Sequence, residues 1–232
     1  MKLYPLSYEY RSKVMGKIRR VNKGITKEIF VNDIDATIDS LIILANGHRD
    51  DIVVGILSKH LDGRKIVGLA KSERTRTSSI KNLPRYLSLK LPLKNFVFIM
   101  DQEDDSIEKI HSDIEREIKK ICDEVKNIET APRYFIYDCK VGGRKIKLIF
   151  IINGLDYIPT EKHSIEDHLV WAAEKLGFIT YKNYGNRTSK EVWSELAKSN
   201  ISADIYKRLF LNKNFAKEIF NQHSNGLRFI EE

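Results

Sequence analysis

The sequence predicts an α/β fold: a mostly parallel central sheet flanked by helices, followed by a helical C-terminal portion. Three observations carry that expectation. Continuous apolar runs, "SLIILA" (40–45), "RKIVGLA" (64–70) and "KNFVFIM" (94–100), alternate with stretches of helical spacing. Strands buried on both faces read as unbroken apolar runs, and strand–helix alternation gives a parallel sheet. Two further strand-like runs, 133–141 and 144–153, flank Gly142-Gly143, a two-residue hairpin signal. From Gly177 onward the pattern is mainly helical.

Taken in order, residues 1–37 read as a basic, partly helical lead-in, and 38–176 as the α/β unit. After the first strand, "NGHRDD" breaks the apolar run, with Gly47 permitting a tight turn. "DDIVVGILSKHL" then has apolar residues at 52, 53, 56, 57 and 61, a helical spacing, with Asp50 and Asp51 complementing the helix dipole. Residues 72–92 read as a basic, hydroxyl-rich connection with at least one helical turn. Residues 105–127 read as one long amphipathic helix, with Ile107, Ile110, Ile114, Ile118, Ile121 and Val125 on one side. A helix is expected from about Ser164 to Leu176, where Ser164 and Asp167 resemble an N-cap arrangement. In 177–232, Trp193, Leu196, Tyr206, Phe210, Phe215 and Phe220 supply the apolar face of helices that pack on the sheet or cap it. Cys139, Trp171 and Trp193 read as packing residues.

With 232 residues, 42% of them hydrophobic, the chain can bury one sizeable core. No apolar run approaches the roughly 20 residues of a membrane helix. The opening "MKLYPLSYEYRSK" lacks a signal-peptide core, so a cytoplasmic protein is expected. Two cysteines, Cys122 in a helical pattern and Cys139 in a strand-like one, argue against a disulfide framework, and no clustered Cys/His spacing suggests zinc. The net charge is +8. Residues 11–28 hold seven basic side chains against Glu28, and 71–94 hold Lys71, Arg74, Arg76, Lys81, Arg85, Lys90 and Lys94 against Glu73, while acids crowd into 101–117. Segregated basic blocks beside an acidic patch suit a protein that grips phosphates, so DNA or RNA is the expected partner.

In parallel sheets, sites form beyond the carboxyl ends of strands. "NGHRDD" and "FVFIMDQEDD" both lie there. Asp101 and Glu103, with Asp104 or Asp105 as a spare, present the hard oxygens that Mg²⁺ or Mn²⁺ takes. An acidic turn before a helix is equally the ordinary way to start a helix.

The order of these motifs resembles the TOPRIM (topoisomerase–primase) domain, a Rossmann-like fold, over about residues 38–175. "LIILANGHRDDIVVGIL" looks like its first motif, with Asn46-Gly47 in the place of Glu-Gly and Asp50 as the downstream acid. "FVFIMDQEDD" looks like its Asp-x-Asp motif, with Glu103 replacing the second Asp, and "IINGLDYIPTEKHSIEDHLV" looks like the late acidic segment, with Glu166 and Asp167. The resemblance implies a metal-dependent nuclease in which Asp101 and Glu103 hold one metal. Glu166, with Asp167 or Asp50, completes the site, and His48, Arg49, Lys71, Arg74 and Arg76, with Lys81 of the same basic block, clamp phosphate. Asn46 departs from the pattern, because an amide can neither take a proton nor offer a charged ligand. The alternative is therefore a degenerate relative that binds nucleic acid or a protein partner without cutting. A homo-oligomer is left open. An aspartate-nucleophile phosphatase fits less well, since Glu103 and Asp105 stand where it wants Asp and then Thr or Val.

Overall fold

The structure, a computed structural model, describes residues 1–31, 37–45, 49–61, 65–180 and 185–230. It is an α/β fold around one seven-stranded sheet. The strands are β1 (Lys2–Pro5), β2 (Ser40–Leu44), β3 (Ile66–Lys71), β4 (Asn95–Asp101), β5 (Glu124–Ala131), β6 (Tyr134–Val141) and β7 (Arg144–Asn153), in the order β1-β3-β2-β4-β7-β6-β5. The first five in that order run parallel, and β6 and β5 are antiparallel additions.

The strand faces alternate, and each face has its own core. Ile42, Leu44, Val97, Ile99, Ile149 and Ile151 point to one side. There they meet α1 (Tyr8–Val21), α2 (Ile25–Ile29), α3 (Asp50–His60), α6 (Ile165–Lys175), α7 (Ser189–Lys198), α8 (Ile201–Leu211), α9 (Lys213–Ile219) and α10 (Asn221–Leu227). Leu41, Ile43, Phe96, Phe98, Met100, Phe150 and Ile152 point to the other side, under a 3₁₀ segment (Arg76–Asn82), α4 (Leu83–Leu87) and α5 (Ile107–Lys119). The helical C-terminal portion thus packs directly on the sheet. Trp193, Leu196, Tyr206, Phe210 and Phe220 are buried, and Phe215 is half-buried. No helix among the described residues is long and apolar enough to cross a membrane.

Two expectations are corrected. The helix expected over 105–127 stops at Lys119, and Glu124–Ala131 is edge strand β5, paired antiparallel with β6. Cys122 therefore sits in the turn before β5; like Cys139 it is buried and free. The lead-in is more than a basic helix, because Lys2–Pro5 joins the sheet beside β3. Pro5 is tolerated there because an edge strand has a side that needs no N–H donor. The hairpin at Gly142-Gly143 forms as expected, with both glycines at positive φ (55° and 80°), where side chains are disfavoured.

Candidate carboxylate site at the sheet's carboxyl edge

The chain leaves β2 toward β3 on one side and returns to β4 on the other, so β2 and β4 straddle the point where strand order reverses. Ligand sites of open α/β sheets form at that point. Asp50 opens α3 after β2, and Asp101 closes β4. Strand alternation decides where Asp101 points. Val97 and Ile99 face the α3/α6 side, so Asp101, two residues on, faces it too. Asn153 is the register partner of Asp101 at the end of β7 and follows Ile149 and Ile151 to the same side. Glu166, in the first turn of α6, arrives from above.

These side chains form one buried network. The Asn153 amide nitrogen donates to Asp50 Oδ1 at 3.0 Å and to Asp101 Oδ1 at 2.9 Å. The backbone N–H of Ile165 adds a 3.1 Å bond to Asp101 Oδ1. Asp50 Oδ2 is buried and has no partner among the described residues. Glu166 accepts from the Ser164 hydroxyl at 2.7 Å and pairs with Arg49. Ser164 stands at the N-cap position of α6 as expected, but its hydroxyl serves Glu166 rather than a backbone N–H. Burial, and then repulsion from Asp101, Glu166 and Asp51, pushes the Asp50 carboxyl well above the usual range. Burial raises Asp101 to about 6, with the Asn153 hydrogen bond and Lys190 holding it down and Glu166 and Glu103 pushing it up.

The remaining acids go elsewhere. Glu103 adopts φ 57°, pairs its backbone with His163, and gives its carboxylate to Lys190 at 2.8 Å. Asp105 binds Arg76 and, at 2.5 Å, Lys109. Asp167 accepts from the Leu155 N–H at 3.1 Å and bonds the His163 ring at 2.6 Å. Asp51 accepts from Tyr10 at 2.6 Å and pairs with Lys17. Asn46 and His48 lie outside the described residues. Of the basic candidates, Arg49 is at the site through Glu166. Lys71, in register with Leu44, and Arg74 are exposed at the same sheet edge. Arg76 also donates to the Gln102 carbonyl at 3.2 Å, and Lys81 lies 3.9 Å from Glu117 on α5.

Sequence reasoning missed Asn153, His223 and Lys190. Asn153 had a signal: "FIIN" ends its strand as "FIMD" ends β4, one strand over. Lys190 had none, since α7 lies far along the chain. Burial pulls its ammonium down, but the Glu103 hydrogen bond and the charges of Asp101, Glu103 and Glu166 outweigh that, leaving it above the ordinary lysine value.

No family model, no curated protein and no solved structure matches the chain. Among the described residues, no group of three or more His, Cys, Asp or Glu side chains is placed to hold a metal ion. The donor set does fit a cation held by two carboxylates. Asp50 and Asp101 share one amide, repel one another, and leave a buried carboxylate oxygen unpartnered among the described residues. Mg²⁺ and Mn²⁺ are commonly bound by one or two carboxylates, completed by water and substrate phosphate.

Proposed function

We propose that the chain is a divalent-metal-dependent enzyme acting on nucleic-acid phosphodiesters, of the TOPRIM type its sequence resembles. Asp50 and Asp101 hold Mg²⁺ or Mn²⁺. The observation that carries this reading is the buried Asp50–Asn153–Asp101 bridge at the switch point of the sheet, with Asp50 Oδ2 unpartnered among the described residues. A structural role alone does not explain two carboxylates kept together at the cost of their burial and mutual repulsion. A bound divalent ion supplies Lewis-acid stabilisation of charge on a phosphoryl oxygen. Arg49 and Lys190, held beside the pair by Glu166 and Glu103, offer N–H donors to a phosphate. Lys71 and Arg74 at the same edge extend the positive surface along a strand.

A second reading, binding without cleavage, is favoured by Lys190 itself. Its ammonium lies among Asp101, Glu103 and Glu166 and neutralises charge that a second metal would need. Labelled single- and double-stranded DNA and RNA, incubated with Mg²⁺, Mn²⁺ or EDTA, separate the two. Metal-dependent cleavage that falls at least about 100-fold in Asp101→Asn is expected. A salt-sensitive mobility shift with no cleavage in any metal would replace the enzyme by the binder.

A further inference from the structure

His223, on α10 of the helical C-terminal portion, is fully buried and places its ring Nε2 2.8 Å from Asn153 Oδ1. Asn153 has one NH₂ and one oxygen. Its NH₂ is committed to Asp50 and Asp101, so Oδ1 can only accept, and His223 must carry its proton on Nε2. The other ring nitrogen, Nδ1, is buried with no partner among the described residues, which fits the bare, unprotonated nitrogen of a neutral ring. Burial, with the neighbouring His168, holds His223 well below the ordinary histidine range. His168 is fixed in turn. Its Nδ1 donates to the Ile219 carbonyl at 2.7 Å, and its Nε2 accepts from Gln222 at 3.2 Å. Gln222 also donates to the Ile152 carbonyl at 2.7 Å, tying α10 to the end of β7.

We propose that His223 is a positioning residue of the carboxylate site, whose Nε2–H holds the Asn153 amide in the one orientation that joins Asp50 to Asp101. With the amide reversed, its oxygen would face two carboxylates, and the pair would be pushed apart rather than bridged. The C-terminal helices therefore do more than cover the sheet, since one of them sets the spacing of the two candidate metal ligands. The metal readout below rests on the enzyme reading above; the amide readout does not.

The test compares wild type with His223→Gln, which keeps an N–H donor near the Nε2 position, and with His223→Leu and His223→Met, which have none. Having two donor-free variants guards against one that does not fold. The side-chain NH₂ of Asn153, followed by ¹H–¹⁵N NMR, is expected to be protected from solvent exchange in wild type and His223→Gln. In the donor-free variants it is expected to be averaged. Mn²⁺ affinity, measured by titration of the metal alone, is expected to fall about tenfold or more in the donor-free variants, the range of outer-shell losses. It should stay within about threefold of wild type in His223→Gln. Protected Asn153 protons in a folded donor-free variant would overturn the proposal. So would His223→Gln losing protection as fully as they do. A wild type that takes no Mn²⁺ would sink the metal reading, leaving the amide signals to decide the role of His223.

Discussion

Asp50 and Asp101 are the residues whose chemistry can be checked most directly. A carboxyl raised on folding favours the protonated native state. The stability tied to it is full below the unfolded value near 3.9 and is lost as pH rises through the folded value, about 6 for Asp101. For Asp101 the span corresponds to about 3 kcal/mol as an upper figure. In EDTA, the stability of Asp101→Asn over wild type should therefore grow between pH 4 and pH 7, read from urea midpoints at each pH. A difference that stays flat would show that Asp101 titrates normally. Saturating Mn²⁺ should cancel the wild-type loss at pH 7, because a ligand that binds only the native state stabilises it. Asp50→Asn should likewise raise the metal-free midpoint at pH 7 while abolishing Mn²⁺ binding, because the amide carries no charge for Asp101 and Glu166 to repel. Asp101 was legible in the sequence as the polar end of an apolar run, and Asp50 as a helix start. Their bridge through Asn153 was not, because an asparagine at a strand end has many ordinary explanations.

At the scale of the element, α7 and α10 are the helices whose placement matters to the site. Thr188 caps α7 in a reciprocal arrangement with Glu191 and so fixes the turn that carries Lys190. Thr188→Ala should cost about 1 kcal/mol, measured by chemical denaturation; no loss would mean that the cap is idle in solution. On α10, a Cβ at Gly226 would stand 2.8 Å from two carbons of the buried Ile151 side chain on β7. Gly226→Ala should therefore destabilise by about 1–3 kcal/mol through overpacking, and Ile151→Val in the same chain should recover part of it. An additive pair would place α10 elsewhere. Besides β1, hidden in the basic lead-in, the element misread from sequence was β5. Its isoleucine spacing continues the period of α5 through Ile121 and Val125, and as an edge strand it buries few side chains and slips register between Asn127 and Glu129. An edge strand with one wet side and a bulge lacks the apolar run that marked β2, β4 and β7.

For the whole molecule, charge is the property that bears on a partner. With a net charge of +8, binding to a duplex should weaken steeply with salt. Each phosphate contact contributes about 0.9 to the slope of log K against log salt. If Lys71 and Arg74 both contact the backbone, the double variant Lys71→Ala/Arg74→Ala should reduce that slope by about 2, as read from fluorescence anisotropy between 50 and 200 mM salt. An unchanged slope would count against this sheet edge as the proposed nucleic-acid surface.

By itself the sequence determined the α/β class, the three buried parallel strands, the Gly142-Gly143 hairpin, the helical C-terminal portion and the presence of acids where two strands end. Those features follow from local periodicity and turn chemistry, which short stretches of chain carry on their own. Only the tertiary structure decided which acids meet. It sent Glu103 to Lys190 and Asp105 to Arg76, set Asp50 and Asp101 on one amide, and brought His223 in from the far end of the chain. The physical reason is that hydrogen bonds and ion pairs depend on ångström-scale placement of side chains from separate elements. That placement comes from sheet order and helix packing, which no local pattern records.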